Sequence, residues 1–241
     1  MNKIVCVVGP TASGKTALSV ALAKALNGEV ISADSMQLYR GMDVGTAKVT
    51  PEEMDGVPHH MIDVADPWES FSAARYVEMA DPILQDILSR GKTAIIAGGT
   101  GLYVDALIAG RTFAPYPETG RRQALEQEAE KMGMEHMLSR LRAVDPDSAS
   151  RLHLADRKRI IRALEVYEET GKTITQHNLE TQALPDKYHP VWIGLTYEPR
   201  QLLYDRIDLR VDKMLEAGLL EEIRGLLQRG IPGGCTAMQA I

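Results

Sequence analysis

Short apolar runs in the first third of the chain alternate with longer stretches in which apolar residues recur at helical spacing. Continuous runs of this length predict the buried strands of a parallel sheet, at residues 4–8, 29–33 and 93–97. The helix between the first two strands is defined by Leu18, Ala21, Leu22, Ala25 and Leu26. A second helix is predicted from about Ser72 to Arg90, with Gly91 closing it and Pro82 kinking or breaking it. This alternation is typical of a doubly wound α/β fold.

The middle of the chain has a different pattern, because residues 118–171 are helical and highly charged and contain no predicted strand. A proline-rich connection at 111–117 precedes this segment, and strand character returns only at 191–195. We therefore expect an α/β core formed by residues 1–112 and 188–241. Residues 113–187 are expected to form an all-helical insertion.

One helix of the expected insertion is strongly basic. Residues 151–162 carry five arginines and lysines against one acid, and Lys158 and Arg162 lie four residues apart on one helical face. Ile160, Ile161 and Leu164 are expected on the opposite, buried face. Such a stripe is either an ordinary solvated surface or a contact for a polyanion, and the pattern alone leaves both open.

Composition narrows the class of protein. The chain has 241 residues, of which 44% are hydrophobic and 25% charged, and its net charge is −6. These values indicate a globular protein and argue against indiscriminate binding of nucleic acid by the whole surface. Because the chain has neither a membrane-spanning apolar run nor a signal-peptide pattern, we expect a cytoplasmic protein without membrane contact. Cys6 and Cys235 indicate isolated thiols rather than a disulfide framework.

The most specific motif follows the first predicted strand. Residues 9–16 read Gly-Pro-Thr-Ala-Ser-Gly-Lys-Thr and lead directly into the first predicted helix. Strand, glycine-bounded turn and helix start together form a phosphate-binding loop (P-loop), whose backbone N–H groups converge on an anion. Lys15 can reach the terminal phosphate oxygens, and the hydroxyl of Thr16 suits a Mg²⁺ ion. Such loops usually bind ATP or GTP, but the motif itself recognises phosphate and not adenine.

Candidate chemistry also follows the next two predicted strands. Asp34 comes directly after one strand, and Thr100 lies in the Gly-Gly-Thr-Gly turn at 98–101 after another. Ligands of doubly wound sheets bind beyond the carboxyl ends of the strands, so both residues are expected beside the P-loop. Asp34 is either a general base or the cap of the following turn. The neighbouring His59 and His60 cannot share one face, so they do not indicate a metal site.

A missing acid limits the possible reactions. P-loop enzymes that hydrolyse nucleotides usually carry a Mg²⁺-binding acid after a neighbouring strand, whereas the strand at 93–97 ends in glycines. Asp34 is then the only well-placed acid. One alternative is a small-metabolite kinase that binds ATP, and another is a non-catalytic RNA-binding switch driven by nucleotide. A third is an enzyme whose loop holds a phosphorylated substrate without transferring phosphate.

Several uncommon motifs occur together along the chain and identify a family. They include Asp-Ser-Met-Gln-Leu-Tyr-Arg at 34–40, Pro-His-His-Met-Ile-Asp at 58–63, and the segments 9–16, 45–48, 98–103, 156–165 and 236–241. This combination closely resembles the tRNA dimethylallyltransferase family. The resemblance implies transfer of a dimethylallyl group from dimethylallyl diphosphate to N6 of the adenosine just 3′ of the anticodon, with Mg²⁺ as cofactor. We expect a monomer that acts on the anticodon stem-loop.

The resemblance also implies roles for individual residues. Asp34 would accept the proton from the adenine amine, and Thr100 would donate a hydrogen bond to the bridging oxygen of the leaving group. The implied diphosphate-binding residues are Gly9, Thr11, Ala12, Ser13, Gly14, Lys15 and Thr16, with Thr16 also on the metal. Arg206 and Arg210 are candidates for a further diphosphate contact, and the sequence does not decide between them.

The implied tRNA contacts fall in both parts of the chain. They are Asp34, Ser35, Met36, Gln37, Thr100, Arg122, Lys158, Arg159, Ile160, Ile161 and Arg162, with Arg121 a lesser candidate. Members of the family continue beyond the motif at 236–241, so we expect the chain to be a shortened form with reduced tRNA affinity.

Overall fold

The structure is a computed structural model that describes residues 3–111, 113, 119–183, 185–233 and 235–240. For residues 239 and 240 it describes the backbone and not the side chains. The described residues form one parallel sheet in the order β3-β2-β4-β1-β5. Its strands are β1 (Ile4–Val8), β2 (Gly28–Ser32), β3 (His59–His60), β4 (Thr93–Gly98) and β5 (Val191–Gly194). The strands predicted at 4–8, 29–33, 93–97 and 191–195 are confirmed within one residue at each end. Strand β3 is too short to have been predicted from its pattern.

Helices cover both faces of the sheet, which confirms the doubly wound fold. Alternate residues of each strand point to opposite faces. On one face the strands pack against helix α1 (Lys15–Ala25), and on the other against α3 (Ala73–Ser89) and α4 (Gly101–Ala109). The continuous apolar runs in the sequence follow from this burial on both sides.

Helix α1 confirms the predicted helix, and only part of its apolar pattern is buried. Ser19, Val20 and Ala23 are buried, whereas Ala21, Ala25 and Leu26 of the pattern are exposed. Ser19 tolerates burial because its hydroxyl donates to the Lys15 carbonyl at 2.7 Å.

Helix α3 runs without a break through Pro82, so the expected interruption does not occur. Pro82 is exposed, and the carbonyl that loses its helical partner lies on the side of the helix that faces water. The predicted ends are confirmed, because the Ser72 hydroxyl accepts the Arg75 N–H and the Gly91 N–H donates to the Leu88 carbonyl.

The chain divides into two compact units, the first made of Met1–Gly110 with Asp186–Ile241 and the second of Arg111–Pro185. The first unit also contains α2 (Pro51–Met54), α10 (Gln201–Glu216), α11 (Leu219–Gln228) and a 3₁₀ turn (Ala237–Ala240). In the described part of the chain, no helix combines the length and the apolar character needed to cross a bilayer.

The second unit is helical wherever it is described. It contains α5 (Arg121–Met132), α6 (Met134–Val144), α7 (Pro146–Arg151), α8 (Arg157–Thr170) and α9 (Ile174–Gln182). These helices enclose a core of their own, in which Leu141, Ile160, Ile161 and Leu164 are buried. Thr112 and residues 114–118 of the proline-rich connection lie outside the described residues.

A buried acid near the start of β2 binds several cationic side chains. The Glu29 carboxylate of β2 accepts hydrogen bonds from Arg90 at 2.9 Å, Lys92 at 2.7 Å and His60 at 2.8 Å. The hydrogen bonds from Arg90 and the nearby cations hold the pKa of Glu29 well below its usual range.

We predict that Glu29→Gln lowers the free energy of unfolding at neutral pH by about 1–3 kcal/mol, because the partly exposed cations Arg90 and Lys92 lose a buried anion. A depressed carboxyl pKa contributes stability above the unfolded value of 4.5 and loses it as pH falls. The difference from wild type should therefore shrink in acid. Urea unfolding across pH measures it, with the exposed Glu78→Gln as control. A constant difference down to strongly acid pH would contradict the prediction.

Candidate functional site

The P-loop connects β1 to α1 in a conformation that exposes its amides. Gly14, at the start of α1, adopts the left-handed region with φ 92°, and no side chain caps the helix there. Ala12 is also left-handed, with φ 62°. The first amides of α1 and the positive end of its dipole are therefore available to an anion.

A buried hydroxyl in the loop fits the same ligand. Ser13 is only 5% exposed, and its Oγ has no hydrogen-bond partner among the described atoms. Buried hydroxyl groups in proteins are almost always hydrogen-bonded, so an unpaired one in a phosphate-binding loop indicates a missing acceptor. Phosphate oxygens would supply that acceptor.

Lys15 lies in a charged environment at the start of α1. Its ammonium donates to the Gly9 carbonyl at 2.9 Å and to the Pro10 carbonyl at 2.8 Å. Burial lowers the pKa of Lys15, the nearby Asp34 carboxylate opposes this shift, and the Arg210 cation adds to it. The carboxylate of Asp34 and the guanidinium of Arg210 thus lie close to Lys15.

Both arginines of α10 contact this region, in different ways. The Arg206 Nε donates to the Ala12 carbonyl at 2.8 Å, and its guanidinium lies 5.1 Å from the centre of the Tyr197 ring. Arg210 is half-buried, and burial lowers its pKa while Asp34 opposes the shift. Arg206 therefore supports the shape of the loop, whereas Arg210 adds positive charge beside Lys15. The sequence had no signal for the stacking partner Tyr197.

The chain turns that follow β2 and β4 are joined by hydrogen bonds. The Thr100 hydroxyl accepts the Ser35 N–H at 3.0 Å and lies 3.3 Å from the Ser35 hydroxyl. One oxygen of Asp34, Oδ1, accepts the N–H groups of Met36 at 2.9 Å and Gln37 at 3.3 Å. Asp34 therefore caps a turn, as one sequence interpretation expected. Its second oxygen accepts no hydrogen bond from the described residues, which leaves it available as a base.

Gln37 is held on the far side of this turn by backbone carbonyls and by the Ser32 hydroxyl, which donates to its side-chain oxygen at 3.3 Å. Its side-chain amide donates to the carbonyls of Thr46 at 3.4 Å and Ala47 at 3.3 Å. A small cavity of about 30 Å³ is lined by Gln37, Thr16 and His59, among others. The described residues contain no cluster of three His, Cys, Asp or Glu side chains able to hold a metal. A metal ion here would therefore depend on Thr16 and on oxygens of the ligand itself.

The second unit contains a larger, basic cavity of about 500 Å³. Its charged lining residues are Arg122, Arg151, Lys158, Arg159 and Arg162. Arg162 donates to the buried Glu165 carboxylate at 2.7 Å, which fixes its direction. Of these residues, Arg151 was not singled out from the sequence, although it belongs to the basic segment.

The structure contradicts the expected side-chain contact with tRNA at two residues. Ile160 and Ile161 are 0% and 1% exposed and pack in the core of the second unit. Helix α8 is amphipathic: the isoleucines lie on its buried face, and the basic residues lie on the opposite, outward face. The contribution of the isoleucines is to hold the helix rather than to touch a ligand.

A parallel sheet with a phosphate-binding loop after its first strand defines a P-loop α/β protein. A family model described as IPP transferase matches residues 37–241. The chain belongs to this family.

Individual relatives cover nearly the whole chain. A tRNA dimethylallyltransferase from Symbiobacterium thermophilum is 52% identical over 239 residues, which are 99% of this chain and 74% of the relative. Another, from Thermoanaerobacter sp., is 48% identical and is matched over 76% of its length.

Two solved structures are also similar. The full-length tRNA isopentenylpyrophosphate transferase of Bacillus halodurans has a TM-score of 0.68 at 47% identity, covering 99% of this chain and 74% of that one. A eukaryotic dimethylallyltransferase acting on tRNA has a TM-score of 0.82 at 33% identity, covering 95% of this chain and 56% of that one.

We predict that affinity for inorganic diphosphate falls as pH rises through the alkaline range, starting below 10.5, the ordinary pKa of lysine. Burial lowers the pKa of Lys15, and the anion binds the protonated form, so affinity is lost as the ammonium deprotonates. Calorimetric titration at increasing pH measures this. Lys15→Arg stays charged and should give a flatter profile. Identical profiles for the two proteins would contradict the prediction.

Proposed function

We propose that the chain transfers a dimethylallyl group from dimethylallyl diphosphate to N6 of the adenosine just 3′ of the anticodon in tRNA, releasing diphosphate. The observation that carries this proposal is the placement of Asp34 and Thr100 beside a phosphate-binding loop, in a member of the IPP transferase family. A kinase or a nucleotide-driven switch accounts less well for the names of the relatives and for the basic cavity.

The P-loop side of the site would serve the leaving group. As the bond between carbon and the bridging oxygen breaks, negative charge accumulates on the diphosphate. The free amides at the start of α1, the Ser13 hydroxyl and the cations Lys15 and Arg210 are fixed donors for that charge. Thr100 would donate to the bridging oxygen after its hydroxyl proton turns away from Ser35.

The nucleophile would be the exocyclic amine of adenine. Its nitrogen forms a bond to the first carbon of the dimethylallyl group while diphosphate departs with the electron pair of the broken bond. The proton lost by the amine moves to Asp34, whose second carboxylate oxygen is not used by the turn. Because the amine lone pair is delocalised into the ring, this proton acceptor contributes to the rate.

Recognition of tRNA would involve both units. Gln37, whose side chain is anchored to the carbonyls of Thr46 and Ala47, would contact the base, which must leave its stack to be modified. The basic cavity of the second unit would bind backbone phosphates of the anticodon stem-loop through Lys158, Arg159 and Arg162. We further propose that the protein acts as a cytoplasmic monomer.

The residues present fit a magnesium ion in one respect. Thr16 directly follows the P-loop lysine, the sequence position whose hydroxyl binds the metal in P-loops, and the diphosphate would complete the metal's shell. When bound, Mg²⁺ would neutralise part of the leaving-group charge.

The direct test is a transfer assay with radiolabelled dimethylallyl diphosphate and an unmodified anticodon stem-loop. Calorimetry with dimethylallyl diphosphate and with ATP discriminates this function from a kinase. Clear preference for ATP without prenyl transfer would refute the proposal.

We predict that Asp34→Asn lowers kcat by roughly 10² to 10⁴ with tRNA affinity near that of wild type. Asparagine keeps an oxygen that can accept the two turn N–H groups, so the turn remains while the base is lost. Single-turnover kinetics and a stem-loop binding assay measure the two quantities. Activity within a few fold of wild type would exclude Asp34 as the base.

We predict that Thr100→Ala lowers kcat by about 10², because the leaving group loses one hydrogen-bond donor in the transition state. Thr100→Ser keeps the hydroxyl and should stay within a few fold of wild type. Steady-state assays at saturating substrates compare the variants. Equal loss in both would indicate that the methyl group, not the hydroxyl, matters.

A further inference from the structure

An acid on α11 is bound by the backbone of a distant loop. The Glu222 carboxylate accepts N–H groups from Asp43 at 2.7 Å, Val44 at 2.7 Å and Gly45 at 2.9 Å. Successive amides that converge on one anion form a nest, and hydrogen bonds to a charged acceptor are roughly twice as strong as neutral ones. Glu222 therefore joins this stretch of backbone to α11 through three charge-assisted hydrogen bonds.

The loop at residues 42–48 is held together by hydrogen bonds within it and to neighbouring residues. The ammonium of the buried Lys48 donates to the Tyr39 carbonyl at 2.8 Å and to the carboxylates of Asp43 and Asp63, both at 2.6 Å. The Thr46 hydroxyl donates to the Met42 carbonyl at 2.6 Å. A change in the backbone position of residues 43–45 is therefore expected to shift Thr46 and Ala47 as well.

The other end of the same loop holds two side chains of the proposed site. The Thr46 carbonyl accepts both the Gln37 side-chain amide at 3.4 Å and the Arg210 guanidinium at 3.2 Å. The Ala47 carbonyl accepts the Gln37 amide at 3.3 Å, and Ala47 itself is left-handed, with φ 43°. A non-glycine residue in this region needs support from its surroundings.

The contact between loop and helix is also tight. A Cβ atom at Gly45 would lie 3.3 Å from Glu222 Oε1 and 3.1 Å from Leu219 Cδ1. Glycine at this position therefore lets the carboxylate reach the loop amides.

We propose that Glu222 is a positioning residue for the transfer reaction: through the 42–48 loop it holds the side-chain amide of Gln37 where the adenine of the tRNA must bind. This inference rests on the proposed function. Glu222 touches neither substrate, and its effect passes through Thr46 and Ala47 to Gln37.

The experiment compares Glu222→Gln with Glu221→Gln in the transfer assay. Glu221 is the neighbouring acid on α11, is exposed and pairs with Arg224 on the surface, so its variant controls for charge and helix. We expect Glu222→Gln to raise KM for the stem-loop about tenfold, because one amide oxygen cannot replace a carboxylate facing three N–H groups. KM for dimethylallyl diphosphate should change less, by about threefold at most, since the P-loop is unaltered and the loop reaches the diphosphate side through one hydrogen bond, from Arg210 to the Thr46 carbonyl.

A double-mutant cycle separates positioning from general stability. In a Gln37→Ala background, Glu222→Gln should raise KM for the stem-loop by less than about twofold, because the side chain that Glu222 positions is gone. Hydrogen exchange at the amides of residues 43–45 should accelerate in Glu222→Gln and not in Glu221→Gln.

Three results would overturn the inference: equal kinetics of the two glutamine variants, an undiminished cost in the Gln37→Ala background, or unchanged amide exchange. Failure of the proposed function is distinguishable, because wild type would then transfer no dimethylallyl group at all. The hydrogen-exchange result still tests the contact in that case.

Discussion

The close approach of two strand ends determines the geometry on which the site depends. Strands β2 and β4 are neighbours in the parallel sheet, and a Cβ at Gly98 would lie only 2.1 Å from the Ala33 carbonyl oxygen. Thr100 continues this contact by donating its N–H to the same carbonyl at 3.1 Å. Only glycine lets β4 end so near to β2, and the result is that Asp34 and Thr100 leave the sheet side by side. With β1 adjacent to β4, the P-loop joins them at the same edge.

Much of this arrangement could be predicted from sequence because its determinants are local. Buried parallel strands produce uninterrupted apolar runs, and the P-loop combines strand, turn and helix start within a few residues. Asp34 and Thr100 could be placed because parallel strands end at a common edge. The family resemblance is likewise carried by short segments, and the family model confirms it.

Other features depend on contacts between distant residues and leave no local pattern. Glu222 is separated from the loop amides by more than 170 positions, and nothing in its own helix distinguishes it from Glu221. Strand β3 exists because its two residues pair with β2, not because of their intrinsic preference. Ser19 is buried by the packing of α1 on the sheet, and its hydrogen bond to Lys15 only offsets the cost of burying the hydroxyl. In each case tertiary context decides the outcome.

The unpaired hydroxyl of Ser13 bears on how the enzyme finishes a turnover. A buried donor without an acceptor raises the free energy of the empty loop, and any diphosphate that accepts its proton removes that penalty. Product diphosphate carries more charge than the substrate and meets the same donors. The donors that attract the diphosphate of the substrate therefore also retain the product, and release of diphosphate leaves the Ser13 hydroxyl without an acceptor again.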